Sequence, residues 1–293
     1  SESVAVKMVA RVVPYPAAFT SSGVVTMAEY YHEKDYINHF YATTKQDSTI
    51  NQSDLKKQII TQLIENKIIN NEAIKMKFSV EEDGVDLAIN KIYESNGGIE
   101  EVKKTLTELY DLSVDQFKDL VRSQLIREKI SNEAIEKVTA RHILIRVDEG
   151  ATEEKVNEAK ANIDKLATEI AGGASFEEVA KRSSEDVGSN EQGGALEPFS
   201  REEMVKEFED VAFSQPLNEV SKPFRSSFGW HIVKVEKKTG FIHASFDGWL
   251  SNLKNKSIIL ILYKTSVGSS ISSNAIKVVV LVVVLIIALF SAL

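Results

Sequence analysis

Two strand-like stretches, ARHILIR (Ala140–Arg146) and FGWHIVKVE (Phe228–Glu236), bracket one portion of this chain and constrain its fold more than any other feature. Both are rich in β-branched and apolar residues, and each carries a histidine. Between them, Val156, Ala159, Ile163, Leu166 and Ile170 recur at the spacing of one helical face, which Gly172-Gly173 terminates. Ser175 and Glu178 have the spacing of a capping box for a second helix, SFEEVAKRSS. Gly193-Gly194 marks a turn, Arg201–Phe208 a short helix, and Phe224–Glu236 a hairpin-like strand region. The order β-α-α-turn-α-β-β predicts an α+β unit built on a small antiparallel sheet.

The stretches before this unit are patterned differently. Thr26–Ala42 reads as a helix with Thr26 as N-cap, and His32 and His39 within it lack the spacing of a metal pair, so both read as surface or packing residues. A helix opening at Ser53-Asp54 carries Leu55, Ile59, Ile60, Leu63, Ile64 and Ile68 on one stripe. Val80–Glu94, Ile99–Tyr110 and Ser113–Glu136 continue the style, the last with Ser113 and Gln116 as a capping box. Ser1–Thr20, Val-rich and broken by Pro14 and Pro16, reads as an extended arm or edge strand. After the central unit, Phe246–Tyr263 reads as a helix running into a strand that packs back on the N-terminal helices. The expected domains are a helical one over 1–138, the α+β unit over 139–239, the returning helix and strand over 240–268, and a Ser-rich linker with a hydrophobic segment over 269–293.

A length of 293 residues suits about two domains, and 43% hydrophobic with 27% charged residues is a globular composition. A net charge of −8 argues against nucleic acid as a partner, and the lack of cysteine excludes disulfides and thiolate metal sites. Val278–Leu293 is uncharged and apolar on every side. As a helix it would span roughly 24 Å, a little short of a hydrocarbon core of about 30 Å, with Lys277 placed to snorkel. It is expected to be a membrane segment. As a C-terminal anchor it would leave the body in the cytoplasm, whereas a Ser-rich spacer, a Lys and an apolar run also have the form of a signal segment, which would send the body outside. The chain opens on Ser1 rather than Met, so an upstream stretch is expected to have been removed or left out.

ARHILIR, SFEEVAKRSSEDVGSNEQGGALEPFSREEMVKEFEDVAFS and FGWHIVKVE, in that order, resemble the parvulin family of peptidyl-prolyl cis/trans isomerases across the whole α+β unit. The N-terminal helices are similar to the all-α chaperone domain of SurA-like and PrsA-like foldases. The resemblance implies that His142 and His231 lie side by side on the central strands with Asp186 beside them as the catalytic group. It further implies that Leu196, Met204 and Phe208 line a pocket for the proline ring, with Ser226 and Phe228 near the second histidine. No metal or cofactor is implied. The expected partners are unfolded or extended client polypeptides containing X-Pro, and the expected location is the bacterial cell envelope, extracytoplasmic, with a cytoplasmic tail-anchored form as the other topology.

The chemistry suits such residues. Rotation about X-Pro meets a barrier of about 18–20 kcal/mol from amide resonance, and no bond breaks, so no nucleophile is needed. An apolar slot that holds the ring and strips water from the amide favours the twisted geometry. A His-His-Asp network can fix tautomers and tune polarity at the carbonyl, or the histidines can be a structural pair with catalysis left to the pocket. The chain departs from the family's GGDLG turn: Ala195 and Glu197 stand where Asp and Gly are common, and loss of a glycine that supports φ > 0 is expected to reshape the turn. The acidic VDEGATEE after the first strand, with Arg146 alone before it, argues against phosphoserine-proline specificity. P-loop, zinc-protease and G-x-S-x-G signatures are absent. The expected activity is that of a peptidyl-prolyl isomerase and chaperone; the alternative is a parvulin-fold holdase that binds extended peptides with little catalysis.

Overall fold

The computed structural model describes residues 15–44 and 51–262. The expected linker over 267–274 and the apolar segment Val278–Leu293 lie outside the described residues, as does most of the Ser1–Thr20 arm. Among the described residues, no helix is long and apolar enough to cross a membrane. The chain divides into two units, Ser1–Ile130 with Leu250–Leu293, and Ser131–Trp249.

In the first unit, β1 (Pro16–Thr20) and β2 (Gly23–Thr26) form a hairpin, and β6 (Ile259–Ile261) pairs antiparallel with the other side of β1. β1 is therefore the central strand rather than an edge. Pro16 is tolerated because it sits at the first position, ahead of a register irregularity; Ala18, Phe19 and Thr20 keep their backbone groups and pair on both sides. Helices follow: α1 (Met27–Thr44), α2 (Gln52–Lys75), α3 (Glu82–Ser95), α4 (Ile99–Tyr110) and α5 (Val114–Lys129). Thr26 and Glu29 cap α1 reciprocally: the Thr26 hydroxyl accepts from Glu29 N at 3.2 Å, and the Glu29 carboxylate accepts from Thr26 N at 2.7 Å. Ser113 and Gln116 do the same for α5. The cap of α2 is Asn51, whose Oδ1 accepts from Ser53 N, two residues ahead of the expected Ser53. The stripe from Leu55 to Ile68 is buried, and Ile69 and Ala73 extend it. Lys254, near the end of α9 (Phe246–Lys256), pairs with Glu65 of α2 at 2.6 Å, so the returning segment is fastened to the helices.

The helix expected to reach Glu136 stops at Lys129 and gives way to one π-turn, Ile130–Ala134. The cause is tertiary. Ile135 bridges to Ile242 and Glu136 N donates to the Ile242 carbonyl, so this backbone is drawn toward sheet pairing. Gly240 makes that return possible: it adopts φ 77°, and a Cβ there would lie 2.1 Å from the Ile135 carbonyl oxygen.

The second unit is α+β. Its antiparallel sheet has the order β3 (Lys137–Arg146), β5 (Gly229–Thr239), β4 (Phe224–Ser226). Period-two alternation splits the side chains between two cores. Ile143, Ile145 and Ile232 face α6 (Glu153–Ala171) and α7 (Phe176–Ser183), packing with Ile163, Phe176 and Val179. Val138, Ala140, Val233 and Val235 face the opposite way, against Phe199 and against Phe208, Ala212 and Phe213 of α8 (Lys206–Ser214). His142 and His231 fall on this second face, one step further along each alternation.

Candidate active site

The register pairs Leu144 with His231 and His142 with Val233, which makes the two histidines diagonal neighbours on one face. Their rings stack with centroids 5.7 Å apart and planes 19° apart. Both are buried. Phe208 stands edge-on to both, 5.5 Å from His142 and 5.6 Å from His231. Phe224, opposite His231 on β4, stacks on that ring at 5.4 Å.

Asp186 comes from the loop after α7. Glu185 N donates to the Leu144 carbonyl and Leu144 N to the Ser184 hydroxyl, which pins this loop beside β3. Asp186 Oδ2 then lies 2.8 Å from His142 Nε2, and Oδ1 accepts from Gly188 N at 3.3 Å. The Ser189 hydroxyl donates to the same Oδ2. Burial pushes the Asp186 carboxyl up, but the hydrogen bonds from Ser189 and His142 outweigh it and hold the group below its ordinary range. An ionised carboxylate only accepts, so the network assigns a proton to His142 Nε2. On the other ring, His231 Nε2 lies 2.7 Å from the Ser226 hydroxyl, which also accepts from Phe228 N at 3.1 Å. Burial, reinforced by the neighbouring His142, lowers the His231 pKa to about 4 despite the opposing pull of Asp186. His231 is neutral at physiological pH. The Nδ1 atoms of both histidines are buried without a hydrogen-bond partner.

Leu196 and Met204 are half-buried and pack on the core that contains Phe208. Leu196 is positioned by a strand-like run along the free edge of β3: His142 N donates to Gly194 O, Leu196 N to Ala140 O, and Phe199 and Val138 exchange both bonds. Gly194 requires its glycine, because at φ 78° a Cβ would sit 2.2 Å from the His142 carbonyl oxygen. Neither Ala195 nor Glu197 has a positive φ, and Ala195 bridges to Arg141. Arg141 holds the turn from behind, donating to the Gln192 and Gly193 carbonyls. Met204 N donates to the Glu209 carboxylate, which fixes the entry to α8.

Of the expected site residues, His142, Asp186, His231 and Ser226 meet in one hydrogen-bonded and stacked cluster, and Phe208 touches both rings. Phe228 departs from this: it is 55% exposed at the β4–β5 turn, and its backbone, rather than its ring, bonds to Ser226. Phe224 and Ser189 were not singled out from sequence. Phe224 had a signal in the alternation Phe224, Ser226 along β4; Ser189 had none beyond its closeness to Asp186. Arg146 is engaged through Nε with the Glu185 carbonyl at 2.9 Å. A separate cavity of about 710 Å³ lies in the first unit, lined by residues including Glu29, Glu33, Lys67 and Asp119. Burial pushes the Glu33 carboxyl there up to about 7, against the hydrogen bond from Tyr36.

Residues 123–239 match the family model of the PPIC-type PPIase domain, and residues 24–131 match that of the SurA-like N-terminal domain. Foldase protein PrsA 1 of Bacillus cereus is 36% identical over 191 residues, which cover 62% of this chain and 61% of the relative, so the chain spans about three fifths of that protein. Foldase protein PrsA 2 of Bacillus anthracis is 32% identical over 208 residues, covering 67% of this chain and 68% of the relative. The crystal structure of a peptidylprolyl isomerase (PrsA) from Bacillus anthracis is 27% identical, covers 68% of this chain and 86% of its own, and has a TM-score of 0.31. With a SurA-like N-terminal domain followed by a PPIC-type PPIase domain, the chain belongs to the PrsA family of foldases.

Proposed function

We propose that the chain accelerates cis/trans isomerisation of X-Pro bonds in unfolded client polypeptides. Residues 139–239 supply the isomerase, and the helical domain before them holds extended segments of the client. The observation that carries this reading is the joining of a buried, stacked histidine pair to an apolar wall of Leu196, Met204 and Phe208. Such a site offers the proline ring a dry slot. Leaving water raises the energy of the resonance-stabilised planar amide relative to the twisted form, which is less dipolar. His142, held by Asp186, and His231, held by Ser226, are the catalytic groups in the sense that they face the twisting bond. They carry no proton to or from it. Phe228, exposed at the turn, is a contact for the residue preceding proline rather than a pocket wall.

The body is assigned to the outside of the cytoplasmic membrane at the cell envelope, with Val278–Leu293 as its membrane segment; protease treatment of intact cells, which should digest the body, tests this. The activity is tested by a protease-coupled isomerase assay on the whole chain with X-Pro peptides of varied X, beside Met204→Ala and Phe208→Ala. Acceleration that both variants lose supports the enzyme. Peptide binding without acceleration in the parent chain would make it a holdase.

A further inference from the structure

The bond from the Ser189 hydroxyl to Asp186 is not needed to complete any turn. Ser189 N and Asn190 N already donate to the Asp186 carbonyl, at 3.2 and 2.9 Å, and Gly188 N serves Oδ1. Yet Ser189 is only 2% exposed, and its hydroxyl is aimed at Oδ2, the oxygen that His142 Nε2 also contacts. Its carbonyl accepts from Gly194 N at 2.8 Å, and the Gly194 carbonyl in turn accepts from His142 N, also at 2.8 Å. Ser189 thus touches both routes by which His142 is held, one through the carboxylate and one through the glycine turn.

We propose that Ser189 is a positioning residue of the isomerase site: by donating to Asp186 Oδ2 it keeps that carboxylate ionised and oriented, and so fixes His142 with its proton on Nε2. This rests on the reading of the site as an isomerase. A half-buried carboxylate that shares one oxygen between two donors loses part of its preference for the charged form when one donor goes. A protonated Asp186 would present an O–H of its own, and His142 Nε2 would have to become the acceptor. The imidazole would then carry its proton on Nδ1, which has no partner in the buried site.

The experiment uses the whole chain and two readouts. Carboxyl carbon NMR follows the titration of Asp186, and the isomerase assay gives kcat/KM against pH. Ser189→Ala should raise the Asp186 midpoint by about one pH unit and move the acid limb of kcat/KM up with it. At pH 7 the effect on rate should be small, and Ser189→Thr, which keeps the hydroxyl, should return both curves toward the parent. An Asp186 midpoint unchanged in a folded Ser189→Ala protein would overturn the proposal. So would a drop in kcat/KM of equal size at every pH, which is the mark of a merely structural residue. A parent chain that binds peptide without catalysis would instead remove the isomerase reading, while the NMR titration still decides whether Ser189 governs Asp186.

Discussion

Burial of His231 as a neutral ring makes the second unit's stability depend on pH in a way that can be worked out in advance. The ordinary imidazole pKa of 6.5 falls to about 4 in the folded chain, chiefly through burial. The unfolded chain therefore binds the proton more tightly than the folded one. The stabilisation is fully present above pH 6.5 and is lost progressively as pH falls from there to about 4. A difference of that size corresponds to about 3 kcal/mol from this one group, a large share of the stability of an ordinary domain. The protein's two tryptophans, Trp230 and Trp249, both belong to the second unit, so intrinsic fluorescence reports on it. Urea unfolding followed by tryptophan emission at intervals from pH 7.5 to 4 should show the parent losing about 3 kcal/mol more than His231→Gln, which can bond Ser226 but cannot titrate in this range. Parallel losses in the two proteins would refute the claim that His231 is held neutral by burial.

Other consequences follow from single contacts. Gly194→Ala should destabilise the second unit by at least about 2 kcal/mol, since it combines a left-handed backbone with a collision against the His142 carbonyl; thermal melting by tryptophan emission reads it. The double change Ala195→Asp, Glu197→Gly, which restores the commoner turn, should leave kcat/KM within about twofold, because neither position uses a positive φ. Ser113→Ala removes one half of the α5 capping box and should cost the first unit about 1 kcal/mol by denaturant titration followed by circular dichroism, without altering isomerase activity.

Much of this architecture can be read from local pattern. The stripe from Leu55 to Ile68, the Ser113–Gln116 box and the alternation in ARHILIR are short-range signals, and the helices and strands follow them. Misreadings arise where side-chain geometry or a distant residue decides. Asn51 wins the cap of α2 because its side chain reaches Ser53 N before Ser53 can act. The helix ends at Lys129 because Ile242, more than a hundred residues on, claims the backbone at Ile135 and Glu136. β1 is central because β6 arrives from the far end of the chain. Within the site, the strand periods put His142 and His231 on one face, but the partner of each ring depends on loop geometry that no period encodes. Ser189 bonds to Asp186 in the loop just ahead of the Asn190–Gln192 turn. Phe228, which the resemblance places near the second histidine, has its ring left exposed by the tight β4–β5 turn.

The central claim is that the slot beside the paired histidines turns X-Pro bonds over. Proton exchange spectroscopy on a short X-Pro peptide, mixed with a catalytic amount of the whole chain, measures this without a coupling protease. Uncatalysed exchange takes tens of seconds or longer, so cross-peaks between cis and trans resonances within a second of mixing time can come only from catalysis. The account predicts those cross-peaks with the parent chain and their loss with a folded Phe208→Ala protein. Peptide resonances that shift or broaden on binding while cis and trans remain unexchanged would contradict it.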